Sequence, residues 1–104
     1  MGLDFAIDEL YASGWDVAEQ DASRGCERHA DGRAFPTCAR VCEEFRSAGY
    51  VLGVRHIQLF DCYRAEWRDE QGNASGAVVG SSEIEAAVYA LAQLRKNLTA
   101  ALQA

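Results

Sequence analysis

The sequence predicts an α+β fold in which a three-stranded antiparallel sheet packs against helices in two layers. A long segment carries Ile84, Ala87, Val88, Leu91, Leu94, Leu98 and Leu102 at helical spacing. A second segment alternates with period two, setting Tyr63, Ala65 and Trp67 on one face and Cys62, Arg64, Glu66 and Arg68 on the other. An antiparallel sheet that is polar on one side needs its apolar side covered, and the long helix is the natural cover. The expected order is α-loop-α-β-β-β-α in one domain, with an acidic helix and long loop over 1–35 and an αβββα core over 36–104.

Each element has its own signal. Leu3, Ile7, Leu10 and Tyr11 form one helical stripe over Leu3–Ser13, with Asp4, Asp8 and Glu9 turned outward and Gly14 as the stop. Trp15 to Phe35 keeps no period and contains the turn pair Asp31-Gly32, so it reads as a loop. A loop of that length is unusual in a small domain and requires an anchor. Trp15, Val17 and Phe35 are the apolar candidates. Pro36 suits the first turn of a helix that carries Cys38, Val41, Cys42, Phe45 and Ala48 on one side and ends at Gly49. Tyr50–Val54 is a short strand, continued or bent by His56–Phe60, because Gly53 weakens an unbroken one. Asp69–Asn73 is a hairpin loop and Ala74–Val79 the returning strand. Ser82 and Glu85 have capping-box spacing at the head of the last helix, Ser82–Leu102.

Composition narrows the function. The chain has 104 residues, 49% of them apolar, which is enough for one core without obligatory disulfides or metal. Sixteen acids face ten bases for a formal charge of −6. Asp4, Asp8, Glu9, Asp16, Glu19 and Asp21 all precede the first basic residue, Arg24. Such a face repels a phosphate backbone and attracts a basic protein surface. The expected partner is therefore a protein with a basic surface, contacted through those six acids and through the exposed strand residues Arg64 and Arg68. Direct nucleic-acid binding is not expected, although mimicry of nucleic-acid charge is one version of the reading. No secretory leader and no apolar run long enough to span a bilayer is seen, so a cytoplasmic protein without membrane contact is expected. The wide apolar arc of the last helix leaves a homodimer open.

From Pro36 to Leu98 the order helix, three strands, helix resembles the double-stranded RNA-binding domain. His56 and Phe60 are similar to that family's loop histidine and strand aromatic, and Gly80, Ser82 and Ala86 to the entry of its last helix. The resemblance implies the fold alone. The family sets two phosphate-binding lysines after that serine, whereas Glu83 and Ile84 stand here.

Chemistry-bearing residues are few. Cys26, His29, Cys38 and Cys42 give Cys-x2-His-x8-Cys-x3-Cys, and three thiolates with one imidazole are a structural zinc set. Cys38 and Cys42 also fit the apolar stripe of their helix as small core residues, and disulfide or redox use is a further alternative. His29 and His56 are the general-base candidates, with Cys62 the nucleophile nearest His56 in sequence, but no orienting third group is evident. No catalytic residues are assigned. The expectation is a small acidic non-catalytic interaction module. The alternatives are a zinc-stabilised structural domain and, third, a thiol or histidine enzyme.

Overall fold

The computed structural model describes residues 2–15 and 25–103, with side chains described as far as Leu98. Its elements are α1 (Gly2–Ala12), β1 (Cys26–Arg28), β2 (Ala34–Pro36), α2 (Cys38–Ser47), β3 (Tyr50–Ile57), β4 (Cys62–Asp69), β5 (Ala74–Gly80) and α3 (Glu83–Gln103). The fold class is α+β, but the expected order is corrected. There are two sheets, β1-β2 and β3-β4-β5, in the order α-β-β-α-β-β-β-α.

The overlooked sheet lies in the second half of the stretch expected to be loop. β1 and β2 are antiparallel with Cys26 opposite Pro36, Glu27 opposite Phe35 and Arg28 opposite Ala34. Strands of three residues are too short to show alternation, so only the Asp31-Gly32 turn was visible. That turn closes with His29 N–H donating to the Arg33 carbonyl at 2.8 Å and Gly32 N–H to the His29 carbonyl at 2.9 Å. Phe35 and Trp15 are both in the core, as the anchoring argument required. Val17, the third expected anchor, lies outside the described residues.

Pro36 belongs to β2 and does not open α2. The helix begins one residue after Thr37, whose hydroxyl accepts the Arg40 N–H at 3.2 Å and so occupies the cap. Val41 and Phe45 carry the buried stripe of α2. β3 runs unbroken through Gly53, which pairs opposite Glu66, because β4 supports it along its whole length.

The alternation in β4 is as expected. Ala65 and Trp67 are fully covered, and Trp67 meets the Phe45 ring at 5.3 Å. Gly76 pairs opposite Trp67, and a methyl group there would collide with the indole ring. At Gly80 an added Cβ would stand 2.6 Å from the Ala86 backbone nitrogen, so β5 can approach α3 closely only with glycine there.

α3 is the axis of the molecule. Ala86, Ala87, Val88, Ala90, Leu91, Ala92 and Leu94 are all buried, a wider arc than a single stripe. It rests on the large sheet while α1 and α2 pack on its two sides, and α2 also covers β3. Alanine has no bulk beyond Cβ, which lets so many neighbours approach one backbone. Ser82 caps α3 by accepting the Glu85 N–H at 3.2 Å. The reciprocal half of the box is displaced by one residue: the Glu85 carboxylate accepts from the Ser81 N–H and hydroxyl, both at 2.7 Å. Leu102, the last expected stripe residue, lies beyond the described side chains.

Candidate functional site

Two surfaces carry the residues singled out in the sequence. The first is the side of β3-β4-β5 turned away from the helices. Strand pairing sets Val51 beside Arg68, Gly53 beside Glu66 and Ala77, and Arg55 beside Arg64 and Val79. All the helices contacting this sheet lie on its other side, where Trp67 and Ala65 are buried. Val51 is 68% exposed and Val79 55%, large values for residues of that type in a sheet. Between them the absent side chain of Gly53 leaves a hollow of about 270 Å³ bordered by Arg55, Glu66 and Arg68.

The charge of this face opposes that of the chain. Arg55, Arg64 and Arg68 surround one acid, Glu66, in a protein of net charge −6. Glu66 stands 3.6 Å from the Arg64 guanidinium and 3.8 Å from that of Arg55. One carboxylate therefore serves two cations at loose range. Arg64 Nε is buried and has no hydrogen-bond partner among the described residues. Its nearest carboxylate oxygen, on Glu66, is 3.6 Å away, beyond hydrogen-bond range, so the guanidinium can still take a closer acceptor. Arg64 and Arg68 were anticipated here. Val51, Gly53 and Val79 were not foreseen, because the doubt over an unbroken β3 hid their shared face.

The second surface is the acidic one. Asp4 is paired with His29, Asp8 with Arg33 and Glu9 with Lys96, so each described acid of α1 meets a base of its own chain. Arg33 also binds Asp31 at 2.8 Å, and these two carboxylates raise its already high pKa further. Asp31 in return is held below the usual carboxylate range by its hydrogen bonds from Arg33. The small hairpin is thus fastened to α1 by charge, assisted by the Tyr11 hydroxyl donating to the Ala34 carbonyl at 2.7 Å. Asp16, Glu19 and Asp21 lie outside the described residues.

The four candidate metal ligands do not converge. Among the described residues no three His, Cys, Asp or Glu side chains are grouped so as to hold a metal ion. Cys26 lies on β1, where burial raises its thiol pKa, and its neighbours are Arg40 and Glu44. Cys38 opens α2, and burial, then the Glu83 carboxylate, raise its pKa. His29 turns to Asp4 and stands edge-on to the Phe35 ring. Cys42 is half-buried on α2, and all four cysteines are free thiols. Helical spacing did align Cys38 with Cys42, but the hairpin carries Cys26 and His29 to different neighbours.

The Cys62–His56 pairing is also separated. His56 sits opposite Tyr63 and Cys62 opposite Ile57, so the two side chains leave opposite faces of the sheet. His56 instead meets Asp61 at 3.1 Å and stacks at a tilt on Tyr63. It lies on β3 and Phe60 in the following turn, whereas the RNA-binding resemblance set the histidine in a loop and the aromatic on a strand. Among the described residues no helix is long and apolar enough to cross a membrane. No family model, no curated protein and no solved structure matches this chain, so any function must be argued from these surfaces.

Proposed function

We propose that this protein is a non-catalytic interaction module that docks through the uncovered face of β3-β4-β5 onto a protein surface rich in carboxylates. The observation that carries the reading is the cluster of Arg55, Arg64 and Arg68 around Glu66, a single carboxylate that approaches Arg64 only to 3.6 Å and Arg55 only to 3.8 Å. Exposed Val51 and Val79 supply apolar area beside those charges, and Arg binds carboxylates in a planar, two-pronged geometry. This moves the contact away from the acidic helix. A broad basic surface arriving at α1 must compete with His29, Arg33 and Lys96 for the same carboxylates. Self-association through the sheet face is opposed by its own like charges.

The test uses two simple polymers as stand-ins for opposite surfaces. Poly-L-glutamate at low salt is expected to shift the backbone NMR signals of Val51–Arg55, Arg64–Arg68 and Ala77–Val79. The triple variant Arg55→Glu, Arg64→Glu, Arg68→Glu is expected to lose that response while keeping its fold, since Arg55 and Arg68 are exposed and Arg64 is partly so. Shifts on α1 with poly-L-lysine, and none on the sheet with poly-L-glutamate, would overturn the assignment.

A further inference from the structure

Beside β5 the helical layer is formed by α3 and by α1, which packs chiefly on α3. Where α1, α3 and β5 meet is a groove of about 300 Å³ whose lining includes Phe5, Asp8 and Glu9 of α1, Val78 of β5, and Tyr89 and Lys96 of α3. Phe5 is 58% exposed, off the Leu3-Ile7-Leu10 stripe that buries α1.

β5 is itself an unguarded edge. Its sequence Ala-Ser-Gly-Ala-Val-Val-Gly has no charge and no proline. Its register irregularity falls near its start, opposite Trp67 and Arg68, so Gly76–Gly80 pairs regularly with β4. Among the described residues β5 pairs with β4 alone. Alternate N–H and C=O groups of such a strand point away from the sheet, and proteins usually protect them with lysine, proline or a bulge. The opposite edge, β3, carries Arg55 and His56.

We propose that β5 is a strand-addition site for an extended segment of a partner protein. The segment pairs with the β5 edge, sends alternate apolar side chains into the groove against Phe5, Val78 and Tyr89, and sets a Lys or Arg against Asp8 and Glu9. Backbone pairing supplies affinity and the groove supplies selectivity. Asp8 and Glu9 are each at least half exposed beyond their present ion pairs, and a carboxylate accepts several donors at once. Arg33 reaches Asp8 from outside the groove and Lys96 reaches Glu9 within it, so a single Lys or Arg of the segment joins these pairs at their exposed oxygens and need not displace them. A lone strand needs only the β5 edge and the groove, and a second copy of this chain is the other occupant that the test below distinguishes.

This site is separate from the sheet face, and its test separates the two. The probe is a library of end-blocked peptides as long as β5, alternating Val, Ile or Phe with Lys or Arg, screened against the full chain. Enriched peptides are expected to slow amide exchange at alternate residues of β5. N-methylation of alternate peptide amides is expected to abolish binding. Phe5→Asp is expected to weaken it by about tenfold or more, as loss of a buried aromatic anchor does, without moving the unfolding midpoint. Absence of enrichment would overturn the proposal. So would enriched peptides that leave β5 exchange unchanged and respond to Arg64→Glu. Protection of β5 that grows with protein concentration alone would assign the edge to a second copy instead.

Discussion

α1 and α3 lie side by side, yet they are held by different forces. α3 is enclosed by apolar atoms on nearly every side, from Ala86 to Leu94. α1 buries Ala6, Ile7 and Leu10 on one stripe, and its other ties to the chain include ion pairs with His29, Arg33 and Lys96 and the Tyr11–Ala34 hydrogen bond. Burial of apolar area is insensitive to salt and to mild acid. Exposed ion pairs are weakened by both. The molecule thus has a half around the large sheet held by apolar packing and a half around the small hairpin that adds exposed ion pairs to its Phe35 anchor, and the second is the part expected to loosen first.

Trp67→Ala gives the most severe test of that contrast. The indole fills the centre of the sheet–helix layer, and its removal is expected to cost about 3–5 kcal/mol by denaturant unfolding. A loss no greater than that of Arg33→Ala would break the comparison. Gly80→Ala adds a methyl group 2.6 Å from the Ala86 nitrogen and is expected to cost about 1–3 kcal/mol through overpacking, read from the same titration. The smallest effects belong to the hairpin. Raising the salt concentration is expected to speed amide exchange in β1 and β2 while leaving α3 unchanged.

Acid sharpens the same point. Arg33 holds the Asp31 carboxyl below its ordinary value, so the bond is intact above the unfolded pKa of about 3.9 and is lost as pH falls through the lower folded value. Carboxyl NMR titration of Asp31 should show the depressed midpoint, and Arg33→Gln should return it to the ordinary range.

What the sequence showed follows the same division. Period-two alternation through Tyr63, Ala65 and Trp67 and the run of apolar residues down α3 each extend over several repeats, so the large sheet and its cover were legible. The hairpin was not. Each of its strands spans three residues, and what holds it, the burial of Phe35 and the ion pairs to α1, comes from partners distant in sequence. The Cys26, His29, Cys38 and Cys42 spacing suggested a metal because linear spacing says nothing of direction. β1 points Cys26 toward Arg40 and Glu44, and His29 turns to Asp4. On the sheet face, Arg64 and Arg68 were found from alternation alone. Val51 and Val79 required knowing that Gly53 leaves β3 unbroken.

The buried Glu85 joins the two halves. Gly2 at the head of α1 abuts its carboxylate, which accepts from the Ser81 N–H and hydroxyl at the head of α3. Further along, Glu9 meets Lys96, so the two helices run in the same direction. Parallel neighbours bring their positive ends together, an arrangement that repels unless a negative charge lies between them. One carboxylate acts as that shared counter-ion. Replacing Glu85 with glutamine would take that negative charge away from the heads of both helices at once.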